Sequence, residues 1–492
     1  MLPAIDIHKL LQQFVYHAKE PLLFSSGFFL FLFAAFISVF YFLNKNKWHD
    51  LKLVYVIMFS LFFYYKSSGV YFVLLIISTM VDYNLANLIF NAKTQWNKKW
   101  LLALSLILNL GLLAYFKYTN FLFGTLCGLS NTPFQPFAIF LPVGVSFFTF
   151  QSLSYTIDIY RGQLKPVNKI LDYAFFVTFF PQLVAGPIVR AKEFIPQISL
   201  PTVVTREMLG QAIFLIVAGL FKKVVISDYI SVNFVDRIFD NPTLYTGLEN
   251  LFAVYGYALQ IYCDFSGYSD MAIGIAMIFG YRLCINFDSP YQSSSITEFW
   301  RRWHISLSTW LRDYLYISLG GNRKGRFRAY FNQFITMLLG GLWHGAAFRF
   351  ILWGAMHGAA LAVDKFIKEF FKIPNTRFFK IAGVLLTFHF VCFCWIFFRA
   401  DSMHIAGSVI ERIAMHFTPS VFPAFIAGYK NILLVMLLGY MLHFTPKRYE
   451  QIAMRWITEI PLAGKVAFVV SAIVLVIQMK SAGVQPFIYF QF

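Results

Sequence analysis

The stretch GFFLFLFAAFISVFYFL, residues 27–43, contains no charged side chain and is followed by Lys45 and Lys47. A helix that crosses a bilayer needs about 20 mostly apolar residues, and basic residues commonly flank it. The stretch therefore predicts a transmembrane helix. Apolar runs of the same character recur along the chain, several of them short or interrupted by glycine or proline: 53–65, 70–90, 100–116, 137–160, 174–189, 208–221, 252–263, 271–281, 330–348, 350–363, 381–398, 432–444 and 466–479.

The overall composition agrees with this interpretation. Of the 492 residues, 59% are hydrophobic and only 13% are charged, whereas about a quarter of the residues in a soluble domain are charged. A chain of this composition could not cover its own surface in water, which excludes a soluble enzyme and a disordered protein. We therefore predict an all-α integral membrane protein with about 11 or more transmembrane helices plus re-entrant and interfacial helices.

The N-terminal residues differ from the rest of the chain. Apolar residues recur at helical spacing from Ile7 to Ala18, and polar residues occupy the other positions. This pattern is typical of an amphipathic helix that lies in the membrane interface. We predict such a helix within residues 1–22 and a single polytopic membrane domain over residues 23–492.

Basic residues outnumber acidic ones by 41 to 23, which gives a net charge of +18. In a membrane protein, cations between spans keep loops in the cytoplasm and contact anionic lipid. Membrane lipid is therefore the expected partner. Nucleic acid is not, because no basic stretch lies in a segment soluble enough to form a recognition domain. The segment 301–328 is strongly basic, with seven lysines and arginines against one acidic residue, Asp313.

The five cysteines are too scattered for a disulfide framework. Cys392 and Cys394 lie among Phe and Trp residues, with no second pair at zinc spacing. They are predicted to be small buried residues, and no metal site is predicted.

The segment GGLWHGAA, residues 340–347, places His344 among glycines within the uncharged stretch 329–348. Ionisable groups inside spans are costly and mark functional sites by default. Imidazole has an unperturbed pKa suited to proton transfer near neutral pH. His344 could therefore activate a hydroxyl. The alternative is a hydrogen-bonded structural histidine with glycines that let helices pack closely.

The segment EFWRRWHISLS, residues 298–308, is predicted to form one helix in which Glu298 meets Arg301 and Arg302. Trp300 would then lie one turn before His304. Such a helix could lie at the cytoplasmic interface and offer its arginines to an anionic donor, or serve only as an interfacial anchor.

Three further features are interpreted as structural. Asp264 and Asp270 are predicted to cap a break between two helices, although a sodium or proton site is conceivable. His357 lies 13 residues after His344, about 220° around a continuous helix, so it should face another way; it is interpreted as structural, as is His389. The run 180–187, with two prolines and a glycine, is predicted to be a broken segment that lines a cavity.

Five strings together resemble a known family: QSLSYTIDIYRG (151–162), FPQLVAGPIVR (180–190), CDFSGYSDMAIG (263–274), SITEFWRRWHISLSTWLRDYLYISLGGNR (295–323) and MLLGGLWHGAAF (337–348). In this order they resemble the membrane-bound O-acyltransferase family, and within it the branch that O-acetylates exopolysaccharides such as alginate. The resemblance runs over about residues 141–400 and is far more specific than a single short motif.

The resemblance implies a multi-helix fold around a central tunnel in the bacterial inner membrane. It places the two motif histidines on His344, the expected general base, and His304, expected to orient the donor or support the oxyanion. The expected substrate-binding residues lie beside them in the same strings: Trp303, Trp343, Gly345, Arg301, Arg302, Ser308 and Asn322.

The resemblance also implies the reactants. No bound cofactor is expected, and acetyl-CoA or another acetyl thioester is the expected donor. The acetyl group would pass to a periplasmic SGNH-type acetylase or another polysaccharide-modification protein, or directly to an exopolysaccharide hydroxyl. A transporter or flippase without chemistry of its own is the main alternative, and a scaffold that only recruits the acetylase is another.

Overall fold

The computed structural model describes residues 7–17, 21–184, 186–371, 374–479 and 487–488. All regular secondary structure in these ranges is helical, which confirms the predicted all-α class. Seven helical segments in the described chain are long and apolar enough to cross a membrane, so the predicted count of about 11 is not confirmed. The seven are Gly27–Lys45, His49–Asn91, Gln95–Leu129, Arg206–Asp240, Phe348–Phe370, Arg377–Arg399 and Pro419–Phe444.

The chain divides into two compact units, one with residues 1–204 and 275–283, the other with residues 205–274 and 284–492. The helices of the first unit are α1 (Ile7–Gln12), α2 (Gly27–Lys45), α3 (His49–Ser68), α4 (Phe72–Asn91), α5 (Gln95–Leu113), α6 (Thr119–Leu129), α7 (Val145–Tyr160), α8 (Ile170–Thr178), α9 (Phe180–Leu183) and α10 (Ala191–Ile198).

Aromatic rings form the core of the first unit. The ring of Phe180 lies 5.6 Å from that of Phe63 and 6.0 Å from those of Phe36 and Phe279. Phe180 is held there because the chain breaks between α8 and α9, as predicted for the run 180–187; whether this run lines a cavity stays a prediction. The predicted N-terminal interfacial helix lies partly outside the described residues, which omit 1–6 and 18–20.

The second unit contains the remaining helices, except that the last turn of α13 (Gly247–Ile278) belongs to the first unit. They are α11 (Arg206–Leu220), α12 (Asp236–Asp240), α13 (Gly247–Ile278), α14 (Ile296–Arg302), α15 (Ile305–Trp310), α16 (Arg326–His344), α17 (Phe348–Phe370), α18 (Arg377–Arg399), α19 (Met403–Met415), α20 (Phe422–Phe444), α21 (Lys447–Glu459) and α22 (Leu462–Met479).

The prediction that Asp264 and Asp270 cap a helix break is wrong, because α13 runs without interruption through both of them. Each carboxylate is instead paired with a lysine that follows α11: Asp264 with Lys223 at 2.5 Å and Asp270 with Lys222 at 2.6 Å. Charge pairing makes the buried Asp264 and the half-buried Asp270 tolerable in the middle of a helix.

Candidate active site

His304 lies at a sharp bend rather than within a continuous helix. α14 ends at Arg302, α15 begins at Ile305, and His304 itself has a left-handed backbone with φ of +43°. The predicted single helix over 298–308 is therefore wrong, and Trp300 and His304 are not successive turns of one helix face. The bend directs His304 inward, where its side chain is fully buried. A left-handed backbone at a residue other than glycine is strained and is often found at functional sites.

Asn286 fixes the orientation of the His304 ring. The Oδ1 atom of Asn286 accepts a hydrogen bond from the backbone N–H of Ser306 at 3.3 Å and lies 3.0 Å from His304 Nδ1. Because Oδ1 only accepts, His304 Nδ1 must carry the proton and donate it. In the neutral ring the lone pair is then on Nε2, so Nε2 can accept a proton or hydrogen bond but cannot donate one.

His304 is kept uncharged. It lies outside the seven candidate spans, and burial lowers the pKa of its ring to about 3. Burial acts in this direction because the protonated ring would lose its hydration. The ring therefore remains neutral at physiological pH, in the form that has a lone pair.

His344 is the last residue of α16 and is also buried. Glycines bring α16 against α17 at this end. A Cβ atom on Gly341 would lie 2.2 Å from the carbonyl oxygen of Phe350, and one on Gly345 would lie 2.0 Å from the ring of Phe350. Of the uses predicted for these glycines, the close approach of another backbone is confirmed.

Trp343 brings the two histidines together. Its ring lies 6.3 Å from that of His304 and 4.9 Å from that of His344. Further rings surround His344, with Trp353 at 5.1 Å and Phe398 at 5.3 Å. The two motif histidines thus lie in one buried aromatic cluster of the second unit.

The 220° rotation predicted between His344 and His357 does not apply, because the helix is broken between α16 and α17. Trp353 contacts both rings, at 5.1 Å from His344 and 4.7 Å from His357. His357 Nδ1 accepts a hydrogen bond of 3.3 Å from Trp300 Nε1. This bond fits the predicted structural role of His357. His357 nevertheless lies in the same aromatic cluster as His304 and His344.

The predicted substrate-binding residues range from buried through half-buried, as for Arg302 and Ser308, to exposed. Trp303 is buried and its ring lies 5.0 Å from that of Trp395, so it is not an interfacial anchor. Ser308 Oγ donates to the carbonyl of Trp303 at 3.1 Å and so stabilises the bend at His304. Arg301 and Asn322 are exposed, outside the buried cluster.

The ion pair predicted for Glu298 is confirmed with Arg302, at 2.7 Å. It is partly exposed and so contributes at most about 1 kcal/mol to stability. Glu298 also accepts hydrogen bonds from the backbone N–H and hydroxyl of Ser294, both at 2.8 Å, and it thereby helps to cap the start of α14.

A family model described as MBOAT, membrane-bound O-acyltransferase family, matches residues 164–405, which include both histidines. The probable alginate O-acetylase AlgI of Pseudomonas putida is 42% identical over 394 residues, 78% of this chain and 79% of that protein. The peptidoglycan O-acetyltransferase of Helicobacter pylori is 37% identical over 418 residues, 79% of each protein. The teichoic acid D-alanyltransferase of Bacillus subtilis is 30% identical over 280 residues, 53% of this chain and 69% of that protein.

The chain belongs to the membrane-bound O-acyltransferase family. It is therefore an enzyme, an O-acyltransferase, and its apolar helices make it a multi-pass membrane protein. A second model, described as YWFCY protein, matches residues 372–492.

Several residues that support the site of this acyltransferase were missed by the sequence interpretation. Asn286 follows α13 in a loop with no histidine or charge beside it, so no spacing links it to His304. Trp353 of α17 contacts His344 only because the chain turns back between α16 and α17, and this turn was not predicted. His443 is buried, and its Nε2 accepts from the backbone N–H of Tyr291 at 3.1 Å. Tyr291 in turn accepts at its hydroxyl from Trp395 Nε1 at 3.2 Å.

The first unit also contains a buried carboxylate that was not predicted. Asp82 of α4 is fully buried within a candidate span. It accepts hydrogen bonds from Asn109 Nδ2 at 2.8 Å and from Ser105 Oγ at 3.1 Å. The polar residues Ser105 and Asn109, four apart on α5, are a signal that could have revealed this cluster.

Cys392 and Cys394 are buried, as predicted.

Proposed function

We propose that this enzyme moves an acetyl group from a cytoplasmic thioester to a hydroxyl on the other side of the membrane, with His344 as general base. The observation that carries the proposal is the contact of Trp343 with both buried histidines, His304 and His344. The relatives support an acetyl group and a polysaccharide acceptor, because two of them are, by name, a probable alginate O-acetylase and a peptidoglycan O-acetyltransferase.

In the proposed step, His344 removes the proton from the acceptor hydroxyl while the hydroxyl oxygen attacks the carbonyl carbon of the thioester. The tetrahedral intermediate then expels the thiolate, which takes the proton back from His344. A general base of this kind accelerates a reaction by about 10²–10⁴-fold. The aromatic side chains around His344 exclude water, which protects the thioester from hydrolysis.

Of the two roles that the resemblance implies for His304, orienting the donor fits its geometry better than supporting the oxyanion. With Nδ1 donating to Asn286, the neutral ring cannot donate from Nε2 to an oxyanion. We therefore propose that His304 orients the donor, with its Nε2 accepting a hydrogen bond from an N–H of the thioester arm.

The donor and acceptor are part of the same proposal. Acetyl-CoA carries phosphates, and the exposed cations of the 301–328 segment, including Arg323 and Arg326, provide charges suited to them. A tunnel through the protein would let the acetyl-bearing arm reach His344 from the cytoplasm. The acceptor is an exopolysaccharide or a periplasmic acetylase that modifies it, and the protein lies in the inner membrane.

The test uses the full-length protein in nanodiscs, supplied with acetyl-CoA labelled in the acetyl group and with a soluble oligosaccharide acceptor. We expect release of free CoA together with labelled oligosaccharide. His344→Ala should lower this rate by at least about 10²-fold. The exposed His404 of α19 provides a matched control, and His404→Gln should leave the rate unchanged.

Three outcomes separate the alternatives. A transporter would move label across a vesicle membrane without release of CoA. A scaffold would tolerate His344→Ala, provided that the variant is monodisperse and inserted. Release of CoA that needs His344, with the label recovered on protein rather than on the oligosaccharide, would point to a protein acceptor instead.

A further inference from the structure

Three helices of the second unit enclose a cavity of about 820 Å³ that is separate from the histidine cluster. α13 contributes Phe252 and Tyr255, and α18 and α20 provide the other walls. α18 and α20 both belong to candidate membrane spans. Lining residues such as Leu385 and Leu434 are 55% and 62% exposed, so the cavity is a groove that opens on the outside of the helices.

Two polar groups that line the groove form hydrogen bonds within the protein. Tyr440 donates its hydroxyl proton to the carbonyl of Tyr255 at 2.8 Å. His389 Nδ1 lies 2.8 Å from the carbonyl of Leu385 and donates to it. Lys430 of α20 is exposed, lines the groove, and forms no hydrogen bond or ion pair with any residue that the structure describes.

An unpaired lysine in an apolar span requires an explanation, because a charge in the hydrocarbon region is costly. A lysine can reach the interface with its long side chain, and an anion there compensates the charge. α20 departs from helical geometry at Tyr429, where φ is −111° and ψ is 19°. The kink precedes Lys430 directly and separates it from the first turns of α20.

The length of the groove beyond Lys430 suits a lipid chain. At a rise of 1.5 Å per residue, Lys430 and Phe444 are about 21 Å apart along α20. Half of a hydrocarbon core of about 30 Å is about 15 Å, so the apolar part of the groove can accommodate an acyl chain of one leaflet. Basic residues beside pockets between membrane helices commonly bind anionic lipid head groups.

We propose that this groove binds one phospholipid with a net negative head group, whose phosphate contacts Lys430 and whose acyl chain lies against Phe388 and Leu434. The lipid compensates the charge of Lys430 and fills the space between α13, α18 and α20. The ring of Phe388 also lies 5.5 Å from that of Tyr291, and Tyr291 in turn packs on Trp303.

The experiment uses the full-length protein in phosphatidylcholine nanodiscs that contain a small fraction of a photoactivatable lipid, either phosphatidylglycerol or phosphatidylcholine with a diazirine in the acyl chain. After irradiation, labelled peptides are identified by mass spectrometry. We expect labelling of α18 and α20 at the groove, with phosphatidylglycerol preferred about fivefold, the ratio for one lysine near the membrane surface.

Two variants and one control sharpen the test. Lys430→Gln should abolish the preference and leave total labelling of the groove in place. Leu434→Trp should fill the groove and lower labelling by both lipids. Lys380 of α18 is an exposed lysine of a candidate span that does not line the groove, and Lys380→Gln should keep the fivefold preference.

Equal labelling by the two lipids in the unsubstituted protein would overturn the proposal, as would a preference that survives Lys430→Gln. Absence of label from the groove, combined with chemical crosslinks between α20 helices of two copies, would show that a second chain occupies it instead. The wild-type comparison needs no variant, so misfolding of a variant cannot decide the result.

Discussion

Replacement of Asn286 tests the geometry of the site most directly. Its Oδ1 atom accepts from His304 Nδ1, from the backbone N–H of Ser306 at 3.3 Å and from Ser306 Oγ at 2.9 Å. Asn286→Ala leaves three buried donors without this acceptor. A buried donor that loses its partner costs about 1–3 kcal/mol. The serine hydroxyl can rotate and the imidazole can change tautomer, so we expect a total loss of about 2–4 kcal/mol.

The same change should affect catalysis more than stability. Without Asn286, His304 is free to adopt the other tautomer and another ring angle. Misplacement of a reacting group by about 1 Å costs about 10²-fold in rate. We therefore expect kcat of the acetyl transfer to fall by about 10²-fold while KM for acetyl-CoA changes little. The assay is CoA release in nanodiscs, with apparent Tm measured by fluorescence on the same samples.

Two companion variants separate orientation from packing. Ser306→Ala removes one donor but keeps the contact between Asn286 and His304, so kcat should change by less than about fivefold, the equivalent of 1 kcal/mol. Asn286→Asp keeps the acceptor but adds a negative charge, which raises the pKa of His304. Its activity should therefore fall at low pH. Wild-type kcat and Tm in Asn286→Ala would refute the reasoning.

Two further changes have defined outcomes. A Cβ atom on Gly341 would clash with α17, so Gly341→Ala should cost about 1–3 kcal/mol of stability and lower Tm. Gly428 has open space around it, so Gly428→Ala should leave Tm unchanged. Equal Tm values for the two variants would contradict the close packing at Gly341. Burial lowers the pKa of His304 in the folded state. The contribution of His304 to the free energy of unfolding is therefore complete above about pH 6.5. It falls by about 1.4 kcal/mol per pH unit between about pH 6.5 and pH 3, because the unfolded state then binds a proton that the folded state does not. Tm measured between pH 4.5 and 8 should therefore fall less on acidification in His304→Asn, and identical slopes would refute the assignment.

Local sequence patterns predicted the features that depend on near neighbours. The uncharged stretch 27–43 became part of α2, and the four-residue spacing of Glu298 and Arg302 became an ion pair. The ordered motif strings identified the family. These predictions succeeded because helical spacing or a long string contains all the information that they require.

The predictions that failed depended on where helices bend. Gly267 and the serines around it resemble a helix break, yet α13 continues through them because Gly267 packs against Gly219, where a Cβ atom would lie 2.7 Å from the Gly219 carbonyl oxygen. Conversely, nothing in the sequence shows that His304 adopts a positive φ. Both outcomes are set by contacts between segments distant in the sequence, as is the link between Asn286 and His304.

Helix α16 cannot move away from α17 to admit a bulkier acyl group without breaking the backbone contact at Gly341. The side chains that would have to make room for such a group are those packed against His344, chiefly Trp353 and Phe398. A related enzyme that uses longer acyl groups must therefore shorten these side chains and keep the two helices in register. Chain-length selectivity in this fold would evolve by replacing one aromatic residue at a time, while His344, the proposed general base, stays in place.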